Sequence, residues 1–109
     1  MIKRTSLVWR KAGLSRKAFR DLWLGEHATI AVEGLEGLRE YVIDFVEEPP
    51  GDAPDGIAVL RFDSLEACEA AFSNKEVTDR LMETREAFAE RVEVFFVDEA
   101  IVFPQQTRD

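Results

Sequence analysis

A central pair of strands is predicted by residues 38–62, which read LREYVIDFVEEPPGDAPDGIAVLRF. Apolar side chains occupy both alternating rows of the first part, residues 38–47, and of the last part, residues 57–62, apart from charged interruptions. Residues 48–56 between them hold three prolines, which lack amide donors and fix φ, so this segment is predicted to be an acidic hairpin loop. The stretch therefore predicts two consecutive strands whose two faces are both apolar.

Strands and helices are predicted on both sides of this hairpin. Before it, an alternation of period two predicts a strand over residues 2–10. Ser15 is a natural helix N-cap, and apolar residues at helical spacing predict a first helix over 16–30. After the hairpin, a second helical segment, bent at Ser73-Asn74, is predicted to run to about residue 90. A long apolar strand is predicted over 91–103, with a bulge or kink at Asp98-Glu99, where the alternation fails.

The order β-α-β-β-α-β over 109 residues is that of the split βαβ, or ferredoxin-like, α+β fold. We therefore predict a single domain, residues 1–109, with a four-stranded antiparallel sheet and both helices on one face. Because the strands also carry large apolar side chains on the opposite face, something must cover that face. A second copy of the chain is the commonest solution, so we predict a homodimer whose sheets enclose a chamber.

Composition and charge exclude several classes of function. The formal net charge of −8 repels phosphate backbones and anionic lipid heads, so neither nucleic acid nor a membrane surface is expected as a partner. One cysteine, Cys68, and one histidine cannot form an intrachain disulfide or a Cys/His zinc cage, and no phosphate-cradling or dinucleotide motif is present. We therefore expect a cytoplasmic protein without a metal or cofactor site.

His27 and Asp44 are the candidate catalytic residues. On a helical wheel, His27 lies at the rim of the apolar stripe that contains Trp23, where an imidazole can face a cleft and act as a general acid or base. Asp44 interrupts an apolar row of the second predicted strand, so we expect its carboxyl group to have a raised pKa or a hydrogen-bond donor. The structural alternatives are a histidine favoured by a helix C-terminus and an aspartate that reaches solvent.

Four further residues are candidates for substrate binding. Trp9 and Trp23 are either core residues or the walls of an aromatic pocket. Tyr41 lies on the row next to Asp44. Arg61, in the third predicted strand, either pairs with Asp44 or binds a carboxylate or enolate of the substrate.

Two stretches resemble the EthD domain family. They are FRDLWLGEHA at residues 19–28 and GLREYV at residues 37–42, which are similar to an F-x-x-x-W-x-x-x-H-A helix followed by a G-L-x-x-Y strand entry. The resemblance extends over nearly the whole chain. Thr29, in place of a common proline, and Asp44, in place of a common Asn, depart from the family pattern.

The resemblance implies a dimeric α/β barrel and a link to ethyl tert-butyl ether degradation alongside an oxidoreductase. It also implies cofactor-independent acid/base chemistry, such as dehydration, cyclisation or decarboxylation, on a hydrophobic or aromatic substrate. His27 would then be the acid or base, and Trp23 and Tyr41 would shape the pocket. The alternatives are a non-catalytic ligand-binding or accessory protein in a degradation pathway, and a haem protein with His27 as the axial ligand.

Overall fold

A computed structural model describes residues 1–104. It contains four strands, four α-helices and one π-helical turn. The elements are β1 (Ile2–Arg10), α1 (Arg16–Leu22), the π-turn (Trp23–His27), α2 (Ala28–Gly34), β2 (Glu40–Phe45), β3 (Gly56–Phe62), α3 (Leu65–Phe72), α4 (Lys75–Glu86) and β4 (Ala89–Val97).

The four strands form one antiparallel sheet in the order β2-β3-β1-β4, with the helices packed on one face. The predicted ferredoxin-like fold is therefore confirmed. Because side chains alternate along a strand, the register fixes which of them share a face. The inner face, beneath the helices, carries Val8 and Leu60, which are buried, and Tyr41. The outer face, opposite the helices, carries the row Val42, Val59, Thr5 and Phe95 across all four strands.

The first helical region is longer than predicted, and it is interrupted. Ser15 accepts a hydrogen bond from the Ala18 amide at 3.0 Å and caps α1 as predicted, but helical structure continues to Gly34. Between α1 and α2 the chain makes the π-turn, in which Gly25 leaves helical geometry at φ −81° and ψ −119°. The hydroxyl of Thr29 donates to the Gly25 carbonyl at 3.0 Å, and the same carbonyl accepts from the Ala28 amide.

The second helical segment and the last strand differ in how well they match prediction. The predicted break at Ser73-Asn74 is present, because α3 ends at Phe72 and α4 begins at Lys75. The side chain of Asn74 caps α4 by accepting a hydrogen bond from the Val77 amide at 3.3 Å. The last strand ends at Val97 instead of continuing to residue 103. Glu99 contacts Lys3 and lies 3.7 Å from Arg61, and both of these residues are on the outer face of the sheet. The chain after Val97 therefore turns away from β1 before it reaches the apolar residues 101–103.

Candidate functional site

A cavity of about 330 Å³ lies between the inner face of the sheet and the helices. It therefore lies within one chain and not between two facing sheets. Small side chains at Ser6, Ala31 and Ala58 line it where larger residues would fill the space between the layers. The remaining lining residues are mostly apolar, with four aromatic rings, two arginines and a histidine among them: Arg4, Val8, Trp23, His27, Leu35, Tyr41, Leu60, Phe72, Thr78, Leu81, Met82, Arg85, Phe88, Val92 and Val94.

His27, the last residue of the π-turn, is held by α4. Its Nδ1 lies 2.7 Å from the hydroxyl oxygen of Thr84. The Thr84 hydroxyl oxygen also lies 2.9 Å from the backbone carbonyl oxygen of Arg80 and 3.2 Å from that of Leu81. If its one hydrogen is donated to one of these carbonyls, the oxygen accepts from Nδ1–H, and the free lone pair of the imidazole is then on Nε2.

The surroundings of His27 keep the imidazole neutral. Burial and, to a lesser extent, the positive charge of Arg85 together lower the pKa of His27 to about 4, against a smaller opposing effect of a hydrogen bond to the Leu81 carbonyl. The ring also meets the ring of Phe88 edge-on, with 5.1 Å between the centroids. At neutral pH His27 is thus an uncharged imidazole at the cavity wall.

Trp23 and Tyr41 form a second polar pair in the cavity. The indole Nε1 of Trp23 donates to the phenol oxygen of Tyr41 at 2.9 Å. Because that oxygen accepts from Trp23, the phenol hydrogen is available to another acceptor. Burial raises the pKa of Tyr41, so the phenol stays protonated at neutral pH. Trp23 also stacks on Phe88, with 5.4 Å between the centroids and 20° between the planes, and this contact joins the two polar pairs.

The family is shown by the sequence. Residues 11–91 match the EthD domain, a stretch that includes the π-turn, Tyr41 and all of α4. This chain belongs to the EthD domain family. A search of curated proteins finds no match.

Solved structures agree with this membership. An ethyl tert-butyl ether d (EthD) family protein from Bacillus halodurans C-125 is 17% identical, with 92% of this chain and 99% of that one covered and a TM-score of 0.74. SnoaB, a cofactor-independent oxygenase from Streptomyces nogalater, is 10% identical over 95% and 97% of the two chains, with a TM-score of 0.68. A dimeric ferredoxin-like protein of unknown function from Bacteroides fragilis is 11% identical over 90% and 95%, with a TM-score of 0.66. At these identities, the similarity establishes the fold.

Gly56 sets the position of Trp23 in the EthD domain. A Cβ atom at this first residue of β3 would lie 2.4 Å from the nearest carbon of the six-membered ring of the indole. Because that carbon belongs to a rigid, buried ring, it cannot move aside as the end of a flexible side chain could. The absence of a side chain at Gly56 lets Trp23 lie flat on the strand and reach Tyr41.

We expect Gly56→Ala to lower the free energy of unfolding by about 1–3 kcal/mol, because the added methyl group overpacks the core against the indole. Urea unfolding measures the change. Trp23→Phe removes the ring atoms that clash, so the same substitution in the Trp23→Phe background should cost much less. Equal costs in the two backgrounds would contradict the proposed contact.

Three of the sequence-predicted site residues lie outside the cavity. Asp44 is exposed on the outer face of β2, so we do not include it in the proposed site. Arg61 pairs with Glu40 at 3.4 Å, and not with Asp44. Trp9 also faces outward, and its Nε1 donates to the Asp52 carbonyl at 2.8 Å. The structure brings together His27, Trp23 and Tyr41.

Arg4, Thr84 and Arg85 line or support the cavity and were missed in the sequence. Arg85 follows Leu81 by four residues on α4, so the helical spacing places it near the buried side. Because charged residues are common on the solvent-facing side of a helix, the sequence favours an exposed position for it instead. Arg4 alternates with Ser6 and Val8 along β1, but the alternation does not show which row faces the helices. Nothing in the sequence pairs Thr84 with His27, since 57 positions separate them.

Two negative findings apply to residues 1–104. No group of three or more His, Cys, Asp or Glu side chains is placed to hold a metal ion. No helix in that part of the chain is long and apolar enough to cross a membrane.

Cys68 is buried, and burial raises the pKa of its thiol, so the reactive thiolate is disfavoured.

Proposed function

We propose that this EthD domain protein catalyses proton transfer at a carbon atom of a small aromatic or enolisable substrate, with His27 as the general base. The observation that carries the proposal is the neutral imidazole at the wall of an apolar cavity, with its Nδ1 held by Thr84. We assign Nε2, the nitrogen that does not contact Thr84, as the basic atom. A positioned general base contributes roughly 10²–10⁴-fold to a proton-transfer rate, and because base strength falls with pKa, a pKa of about 4 places His27 at the low end of that range.

In the proposed step, Nε2 of His27 takes a proton from the carbon next to a carbonyl group. The C–H bond breaks, an N–H bond forms, and the electron pair moves onto the carbonyl oxygen as an enolate. The phenol hydrogen of Tyr41, which Trp23 leaves available, can be donated to that oxygen. The imidazolium then returns its proton to the enolate carbon or to a leaving group, which restores the starting enzyme.

Deuterium exchange of 2-tetralone tests this function. The compound has two fused rings and an activated C–H next to a carbonyl group, and proton NMR in D₂O follows the loss of its C1 signal. We expect the protein to accelerate exchange above the rate in buffer alone. If there is no acceleration, the proton-transfer proposal is wrong, and ligand binding in the cavity would then favour the non-catalytic alternative, a ligand-binding or accessory protein.

We also propose that the protein is a homodimer whose subunits meet through the outer face of the sheet. The row Val42, Val59, Thr5 and Phe95 crosses this face, and the side chains of Val42 and Phe95 are 41% and 43% exposed. The Bacteroides fragilis protein is described as dimeric. Face-to-face packing of two such sheets would remove the exposed apolar side chains of this row from water.

We expect Phe95→Asp to weaken self-association by about tenfold or more, because it places a charge in the centre of the proposed interface. Sedimentation velocity over a micromolar concentration range measures the effect. Val32→Asp is the matched control, since Val32 is 63% exposed on α2, in the helical layer. A wild-type protein that remains monomeric across the range would contradict the dimer.

A further inference from the structure

Two arginines line the cavity without a countercharge. Arg4 is on β1 and Arg85 is in the last turn of α4. Within residues 1–104, no carboxylate lies within 4 Å of either guanidinium. The protein has 22 acidic residues against 14 basic ones, so acidic partners are plentiful in the chain, yet none of those within residues 1–104 pairs with Arg4 or Arg85.

The positive charges of Arg4 and Arg85 also repel each other in a partly buried environment. The Arg4 guanidinium lies over the ring of Phe72, 4.2 Å from its centroid. Burial lowers the pKa of Arg4, and the nearby charge of Arg85 opposes its protonation as well. Because a guanidinium cannot lose its proton in a protein, the repulsion persists until an anion compensates it.

The other residues that line the cavity indicate the size and polarity of the ligand. Around the two arginines the walls are the aromatic rings of Trp23, Phe72 and Phe88 and several aliphatic side chains. The volume of about 330 Å³ is at the small end for ligand pockets, so it suits a planar molecule of about two fused rings. A planar guanidinium matches the geometry of a carboxylate.

We propose that the cavity binds an aromatic carboxylate, with its carboxylate group at Arg4 and Arg85 and its ring among the aromatic side chains. This names a substrate class for the site and rests on the function proposed above. The overall charge of −8 opposes the approach of an anion, but salt screens charges beyond roughly 8 Å, so the local arginines dominate inside the cavity.

Isothermal titration calorimetry with 2-naphthoate and its neutral analogue 2-naphthamide tests the proposal at pH 7. We expect the wild-type protein to bind 2-naphthoate about tenfold or more tightly than 2-naphthamide, because only the acid forms charge-assisted bonds. Arg4→Met and Arg85→Met should each weaken binding of 2-naphthoate about tenfold and leave 2-naphthamide within about threefold. Arg80→Met is the matched control, since it removes the same charge from α4 outside the cavity.

Several outcomes would overturn the proposal. They are equal affinity of the wild-type protein for the two probes, no binding of either probe, and an equal loss for Arg80→Met and Arg85→Met. The ratio of the affinities of the wild-type protein for 2-naphthoate and 2-naphthamide tests the proposal even if a variant fails to fold. Binding is measured without turnover, so 2-naphthoate binding without exchange of 2-tetralone would retain the anion site and refute the proposed catalysis.

Discussion

We expect His27→Asn to lower the protein-catalysed exchange rate of 2-tetralone by about 10²-fold, the low end for a general base, because the low pKa of His27 makes it a weak one. The asparagine amide can still bond to the Thr84 hydroxyl, because it places a nitrogen near the position of Nδ1. It has no equivalent of Nε2, so the atom that takes the proton is lost while the contact with α4 is retained. The initial rate in D₂O, corrected for buffer, measures the effect.

Two further variants separate the base from its surroundings. Glu26→Gln changes the charge of the exposed residue before His27 and should keep the wild-type rate, because Glu26 does not line the cavity. Thr84→Val removes the hydroxyl that fixes the tautomer, so it should lower the rate about tenfold and keep the affinity for 2-naphthoate. A His27→Asn protein with the full exchange rate would assign catalysis to another group.

The fold was predictable because local signals agreed with the global arrangement. Ser15 and Asn74 cap helices through their own side chains, and the proline-containing segment breaks the chain where the hairpin turns. The end of β4 was only partly predictable: Asp98-Glu99 marks an interruption of the apolar pattern, but the apolar residues beyond it favoured a strand that resumes after a kink, whereas β4 ends at Val97. Ion pairs of Glu99 with Lys3 and Arg61, formed across the outer face, take the chain away from the sheet edge there.

The candidate site was only partly predictable. A regular helical wheel brings Trp23 and His27 near one face, and the structure places both at the cavity, but the backbone kinks at Gly25 between them, which a regular wheel does not include. The cavity itself depends on small residues from different elements, Ser6 from β1 and Ala58 from β3, facing Ala31 of α2. Such a void is a property of packing between layers, so no single segment of the sequence shows it.

A stability measurement tests the burial of His27 without any substrate. The folded protein holds the pKa of His27 at about 4, whereas the unfolded chain has the ordinary value of about 6.5. Between these values the unfolded state binds a proton that the folded state does not. The contribution of this residue to stability is therefore complete above about pH 6.5 and is lost as the pH falls towards 4.

We expect the free energy of unfolding of the wild-type protein to fall between pH 7 and pH 4 by roughly 3 kcal/mol more than that of His27→Asn, since each pKa unit corresponds to about 1.4 kcal/mol. The carboxylates titrate in both proteins, so comparing the two differences cancels their effect. Urea unfolding at one fixed protein concentration gives the free energies, and a fixed concentration also keeps any dimerisation constant. Because His27 is the sole histidine, NMR titration of its ring protons gives its pKa directly. Equal pH dependence of stability in the two proteins, or a midpoint near 6.5, would show that the imidazole is hydrated and that the apolar setting proposed for the base does not exist.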